Sequence, residues 1–195
     1  MKLTKFYGGV LAPPYQHHAR TNLNNNEIIK QLQSDDLVTG SGTAVNEIDS
    51  LAIILKGIRP FPQDVIEIGT FMGVGTALLA SYARSVSTFD IWYRNSHRIW
   101  DKLGLTNKIN CYTGDQQFID DVIGQLRGSD QFNFDFGFID GLHEVNSVRH
   151  DFSNVSFCGR VLFHDAHIPE IKDFILNEIG GIIFDDGIFG YWENK

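Results

Sequence analysis

Four side chains able to do acid–base or metal-binding chemistry fall at the ends of two apolar runs. Phe134-Asp-Phe-Gly-Phe-Ile-Asp140 leads into Gly141-Leu142-His143, and Arg160-Val-Leu-Phe-His164-Asp165 closes the next run in the same way. Such pairs suit two chemistries: His143 and His164 as general bases, or Asp140 and Asp165 as carboxylate ligands of a hard divalent cation such as magnesium, with an imidazole nearby. Taken singly, each has a plainer account, His143 and Asp165 as helix caps and His164 as a hydrogen-bonded strand end. It is the four together, at adjacent strand ends, that mark a site. His150 and His167 read as surface residues.

A second run is rich in glycine: Val65-Ile-Glu67-Ile-Gly69-Thr70-Phe-Met-Gly73-Val-Gly75-Thr76. A strand that ends in glycines and turns into a helix lets the backbone approach a ligand closely, with free helix N–H groups facing it. The spacing decides the ligand class. Gly69, Gly73 and Gly75 give G-x-x-x-G-x-G, not the G-x-G-x-x-G of a dinucleotide site, and no Gly-Lys-Ser/Thr of a phosphate loop follows. Glu67 sets a negative charge beside the turn, which disfavours a pyrophosphate and suits a cationic ligand.

These residues need a scaffold that brings strand ends together, and the pattern supplies one. Strands are predicted at 65–68, 87–91, 108–112, 134–140 and 160–164, alternating with helices at 75–84, 96–103, 118–126 and 145–152. A last helix carries Ile168, Ile171, Phe174, Ile175 and Ile179 on one face, and the tail from Ile182 to Trp192 folds as a hairpin about Asp186-Gly187. Alternation of this kind predicts an α/β fold: a Rossmann-like, seven-stranded, mostly parallel sheet, helices on both faces, and a C-terminal antiparallel hairpin strand. Both carboxylate–imidazole pairs then open onto one crevice at the carboxyl ends of the strands.

Ahead of this lies an arm, residues 1–42, with Pro13-Pro14, a short helix at 27–33 and a Gly40-Ser41-Gly42 hinge; it is available as a substrate lid. Thr43 is placed to cap the helix that follows, and residues 43–195 form the main domain. The composition narrows the partners. A net charge of −8 is the wrong sign for counterion-driven binding to nucleic acid, and no apolar run is long enough to span a membrane. Two cysteines without CxxC spacing exclude a disulfide framework, so the expected compartment is a reducing cytoplasm. A small-molecule substrate is the expected partner, and the composition is compatible with a homo-oligomer.

The run from Glu67 through Gly75 resembles the first motif of class I S-adenosylmethionine-dependent methyltransferases. The resemblance extends from about Asn46 to the C-terminus. It implies S-adenosylmethionine as cofactor, held by Glu67, Gly69, Thr70, Gly73 and Gly75, by Asp90 and Ile91 at the next strand end, where an acid accepts ribose hydroxyls, by Asp115 near the adenine, and by Asp140. Asp140-Gly141-Leu142-His143, then Val148, Arg149 and Asp151, then His164-Asp165, is similar to small-molecule O-methyltransferases of the methyltransferase domain 24-like kind. It departs from them at Leu142, Val145 and Phe157-Cys158-Gly159. The implied activity is methyl transfer to a small-molecule hydroxyl, with His143 or His164 as base or a divalent ion at Asp140 and Asp165. The departures leave a second reading, a non-catalytic binding or scaffold module with the same fold.

Overall fold

A computed structural model describes residues 10–11, 23–34 and 45–194. Its centre is β2 (Asp64–Ile68), every residue of which is buried, as a strand covered on both faces must be. Parallel to it run β3 (Ser85–Asp90), β4 (Ile109–Thr113), β5 (Phe134–Ile139) and β6 (Arg160–Phe163). The hairpin adds β7 (Ile182–Ile183) and β8 (Gly190–Glu193), with β8 antiparallel to both β6 and β7. All seven expected strands are therefore present. The arm contributes one more among the described residues, β1 (Val10–Leu11), antiparallel to β4, giving the order β1-β4-β3-β2-β5-β6-β8-β7.

Two helical layers cover the sheet. On one face pack α1 (Asn25–Ser34), α2 (Val45–Gly57), α3 (Val74–Tyr82) and α4 (His97–Leu103). On the other pack α5 (Gln116–Arg127), α6 (Val145–Val155) and α7 (Pro169–Asp173). Helix α1 starts with a reciprocal capping box, in which Glu27 N donates to Asn24 Oδ1 at 3.1 Å and Asn24 N donates to Glu27 Oε2 at 2.7 Å. Its Ile28 and Leu32 are fully buried in the same core as α2 and α3. This part of residues 1–42 thus belongs to the main core. Pro13-Pro14, the Gly40-Ser41-Gly42 hinge and the Thr43 cap lie outside the described residues.

The predicted last helix is shorter than its apolar pattern. After α7 the chain widens into a π turn, Phe174–Glu178, in which Ile179 N reaches back to Phe174 O at 3.2 Å. Phe174 and Ile175 remain buried through it, so the apolar face survives the change of pitch. Polar latches pin the opposite, amino-terminal edge of the sheet. Asp64 accepts from Arg84, from Ser85 Oγ at 2.7 Å and from Asn133 N at 2.7 Å, while Arg160 donates to Asp135 Oδ2 at 2.7 Å and Pro60 O at 2.8 Å. Register does the rest: Ile68 lies opposite both Phe89 and Ile139, and Ile139 opposite Phe163. Their following residues, Gly69, Asp90, Asp140 and His164, consequently emerge along one edge.

Candidate functional site

A cavity of about 810 Å³ opens along that edge, within the range of pre-formed small-molecule sites. Five of the nine residues expected to hold a cofactor line it: Gly69, Gly75, Asp90, Ile91 and Asp140. The glycines are required by close contacts. A side chain at Gly69, whose φ is +103°, would start 1.9 Å from the Asp140 carbonyl oxygen, and one at Gly75 would start 2.9 Å from Glu67 Oε1. Asp90 is fixed by backbone donors on both oxygens, Phe71 N at 2.7 Å and Trp92 N at 2.9 Å. Each oxygen keeps a second lone pair for a ligand hydroxyl.

The other four stand behind the wall. Glu67 is fully buried beneath α3, where Thr76 Oγ1 donates to its Oε2 and its Oε1 has no hydrogen-bond partner among the described residues. Burial pushes its carboxyl up to about 8, with Thr76 and Thr88 opposing and the charges of Asp140 and Asp90 reinforcing the rise. Thr70 is buried with its Oγ1 2.6 Å from Thr88 Oγ1. Gly73 packs against α4, since Trp100 Nε1 donates to its carbonyl at 2.9 Å and a side chain there would strike the indole. Asp115 is the N-cap of α5 and accepts from Phe118 N at 2.9 Å; its neighbour Gln116 is the one that reaches the cavity.

The two candidate bases and the two candidate metal ligands do converge. His164 Nδ1 lies 3.0 Å from both Asp140 Oδ1 and Asp165 Oδ2, and Asp165 Oδ2 also holds His143 Nδ1. Burial by itself would depress His164, but its hydrogen bonds to Asp140 and Asp165 outweigh it and push the imidazole up to about 10. Of its partners, Asp140 is raised, because burial exceeds the help from His164. Asp165 is lowered, because His164 and His143 together overcome its burial. Both carboxylates face the one imidazole, an arrangement that favours the protonated form of His164 over the free base. His143 differs, with its side chain 61% exposed, one nitrogen held by Asp165 and the ring at the cavity mouth.

With the His164 proton given up, Asp140, His164 and Asp165 could also hold a divalent cation, offering two carboxylate oxygens and one imidazole nitrogen within 4.8 Å of one another. The expected pair of metal ligands therefore gains His164 as a third. Several wall residues were not singled out for the site by the sequence. Glu47, Ile48 and Leu51 of α2 line one side, Phe189 the base, and Gln116, Ile119, Ser147, His150 and Asp151 the groove between α5 and α6. His150 is exposed, as expected, and lies 3.0 Å from Asp120 across that groove. Only Asp151 left a usable signal. It shares the buried stripe of Val148 and Val155, an acid at an apolar position.

Comparison with known proteins agrees with the fold. No functionally curated protein matches the chain. Among solved structures, an O-methyltransferase from Bacillus cereus in complex with SAH is 17% identical, covering 86% of this chain and 88% of its own, with a TM-score of 0.57. The O-methyltransferase TomG of Streptomyces achromogenes, involved in tomaymycin synthesis and in complex with SAM, is 14% identical over 87% and 90%, with a TM-score of 0.59. The N-methyltransferase NodS of Bradyrhizobium japonicum, in complex with S-adenosyl-L-homocysteine, is 15% identical over 88% and 99%, with a TM-score of 0.54. These share the fold. A family profile described as a methyltransferase domain matches residues 66–166, more than half of the chain, and the protein belongs to that family.

Proposed function

We propose that this chain transfers a methyl group from S-adenosylmethionine to a hydroxyl of a small-molecule acceptor, with His143 as the base. The observation that carries the reading is the pairing of His143 with Asp165 at the mouth of a cavity whose other side presents Asp90. When bound, the donor supplies a methyl on a sulfonium, already an excellent leaving group. The protein's tasks are alignment, exclusion of water and removal of one proton.

Gly69 and Gly75 keep the cradle open, and Asp90 accepts ribose hydroxyls. Asp165 fixes the ring of His143 through Nδ1, leaving the opposite ring nitrogen to accept the acceptor's proton. His164 neutralises Asp140 and Asp165, so that the acidic pair does not hold that proton itself. Where a divalent cation binds in place of the His164 proton, Asp140, Asp165 and neutral His164 would hold it, and such an ion would supply Lewis acidity toward the acceptor oxygen. Ile48 and Leu51 give the acceptor an apolar wall. A reducing cytoplasm suits Cys111 and Cys158, free thiols that burial pushes up to about 12.

Calorimetry with S-adenosylhomocysteine tests the donor site. Wild type binds, and Asp90→Ala loses affinity on the order of a hundredfold, since two charge-assisted hydrogen bonds disappear. Unchanged affinity would remove Asp90 from the site. Labelled methyl transfer to a panel of phenols, catechols and sugars, with and without a chelator, then tests the reaction; binding without turnover across the panel would favour the scaffold reading.

A further inference from the structure

The mouth of the cavity is built unlike its floor. Phe71, Trp92 and Leu142 line it yet stand 43%, 63% and 59% exposed, a concentration of large apolar side chains in solvent that adds nothing to the core. Phe71 is held there at a cost. Its φ is +42°, in the left-handed region that a residue with a Cβ rarely adopts, and its N–H donates to Asp90 Oδ2. The N–H of Trp92 donates to Asp90 Oδ1, so one carboxylate fixes the backbone of both rings.

Beside these rings lies a guanidinium. Arg94 Cζ is 4.8 Å from the centre of the Phe71 ring and 5.3 Å from that of Trp92, within cation–π range of both. Such contacts consume no N–H donor, and no hydrogen bond or ion pair joins Arg94 to another described residue. Among the described residues lining the cavity it is the only arginine or lysine, against Glu47, Asp90, Asp140, Asp151 and Asp165. The lining histidines already have carboxylates beside them: Asp165 for His143, Asp120 for His150, and Asp140 for His164. Arg94 therefore keeps a donor fork suited to a planar oxyanion.

We propose that Arg94 binds a carboxylate of the methyl acceptor, so that the substrate class is a hydroxy acid with a flat apolar body rather than a neutral alcohol or sugar. This rests on the methyl-transfer reading above, with the donor against Gly69 and Asp90 and the base at His143. A donor seated there leaves the rim to the acceptor, and strand order sets the span. Asp90 ends β3 and Asp140 follows β5, with β2 between them. Two strand spacings are about 10 Å, the reach of a hydroxyphenyl ring bearing a short acid chain. Phe71 and Trp92 offer that body aromatic surface, and Leu142 an apolar contact beside His143. A single arginine matches a single negative charge, whereas the second charge of a phosphate monoester would face the surrounding acids without a partner.

The test is calorimetry on protein saturated with S-adenosylhomocysteine, titrated with para-hydroxybenzoic, para-hydroxyphenylacetic and para-hydroxyphenylpropionic acids and with the methyl ester of each. Wild type should bind at least one acid more tightly than its ester by on the order of tenfold. Arg94→Gln should bring that ratio close to one. The ratio is read within each protein, so a variant that loosens the mouth and weakens acid and ester alike still reports on the charge. Wild-type protein that binds no acid better than its ester at any of the three lengths would overturn the proposal, as would a preference that survives in Arg94→Gln. Tighter binding of the matching phosphate monoester than of the acid would overturn the choice of a carboxylate. Failure of S-adenosylhomocysteine itself to bind removes the donor reading and this inference with it; donor binding without discrimination between acid and ester removes this inference alone.

Discussion

Glu67 is fully buried, with no basic partner among the described residues, and the consequence is measurable. A carboxyl that titrates at 4.5 when unfolded and at about 8 when folded holds its proton more tightly in the folded state. The stabilisation this gives is complete below the lower value and is lost as pH rises through the upper one. Thermal melts should therefore show wild-type stability falling between about pH 4.5 and 8 relative to Glu67→Gln, which keeps the shape without the charge. Parallel curves for the two proteins would contradict a buried neutral acid. At the cavity mouth, His143→Ala should lower kcat by about 10²- to 10⁴-fold while S-adenosylhomocysteine still binds with wild-type affinity, because the base touches the acceptor rather than the donor. Individual residues were legible in sequence where position along a strand decides their place. Asp90, Asp140, His164 and Asp165 were visible because a parallel sheet aligns its carboxyl ends. The capping bond of Asp115 and the facing of Asp151 toward the cavity depend on how α5 and α6 pack, which spacing only suggests.

At the scale of elements, alternation of apolar runs with amphipathic stretches placed all seven main strands, because a buried parallel strand and a half-buried helix differ in period. Two features had no periodic signal. The strand β1 is two residues long, too short to alternate, and the π turn after α7 keeps the same buried face as the helix it replaces. Helix α1 was visible, but its membership of the core was not, since ten residues with two buried apolar side chains read equally well as an arm. Its burial predicts a cost. Leu32→Ala should destabilise the protein by about 2–5 kcal/mol in urea titrations, as expected for a truncated core side chain, whereas a mere arm would leave the midpoint unchanged.

Across the whole molecule, the donor cavity draws on both helical layers and on four parallel strand ends, so a ligand there should stabilise the fold as a unit. At a hundredfold excess over its Kd, S-adenosylhomocysteine should add about 2.7 kcal/mol, seen as a raised unfolding temperature that Asp90→Ala loses at the same ligand concentration. The net charge of −8 acquires a location as well, since Asp90, Asp140, Asp151 and Asp165 all face this cavity. One contact limits how the cavity can vary. Gly69 rests directly on the carbonyl of Asp140, so the turn that cradles the donor and the loop that carries the proton-handling residues form one main-chain seam with no side chain between them. On the proposed reading, that seam ties the donor's turn to the start of the loop that carries the base. Exchanging the side chains that α2 turns to the cavity, Glu47, Ile48 and Leu51, would then alter the room for an acceptor without disturbing that seam.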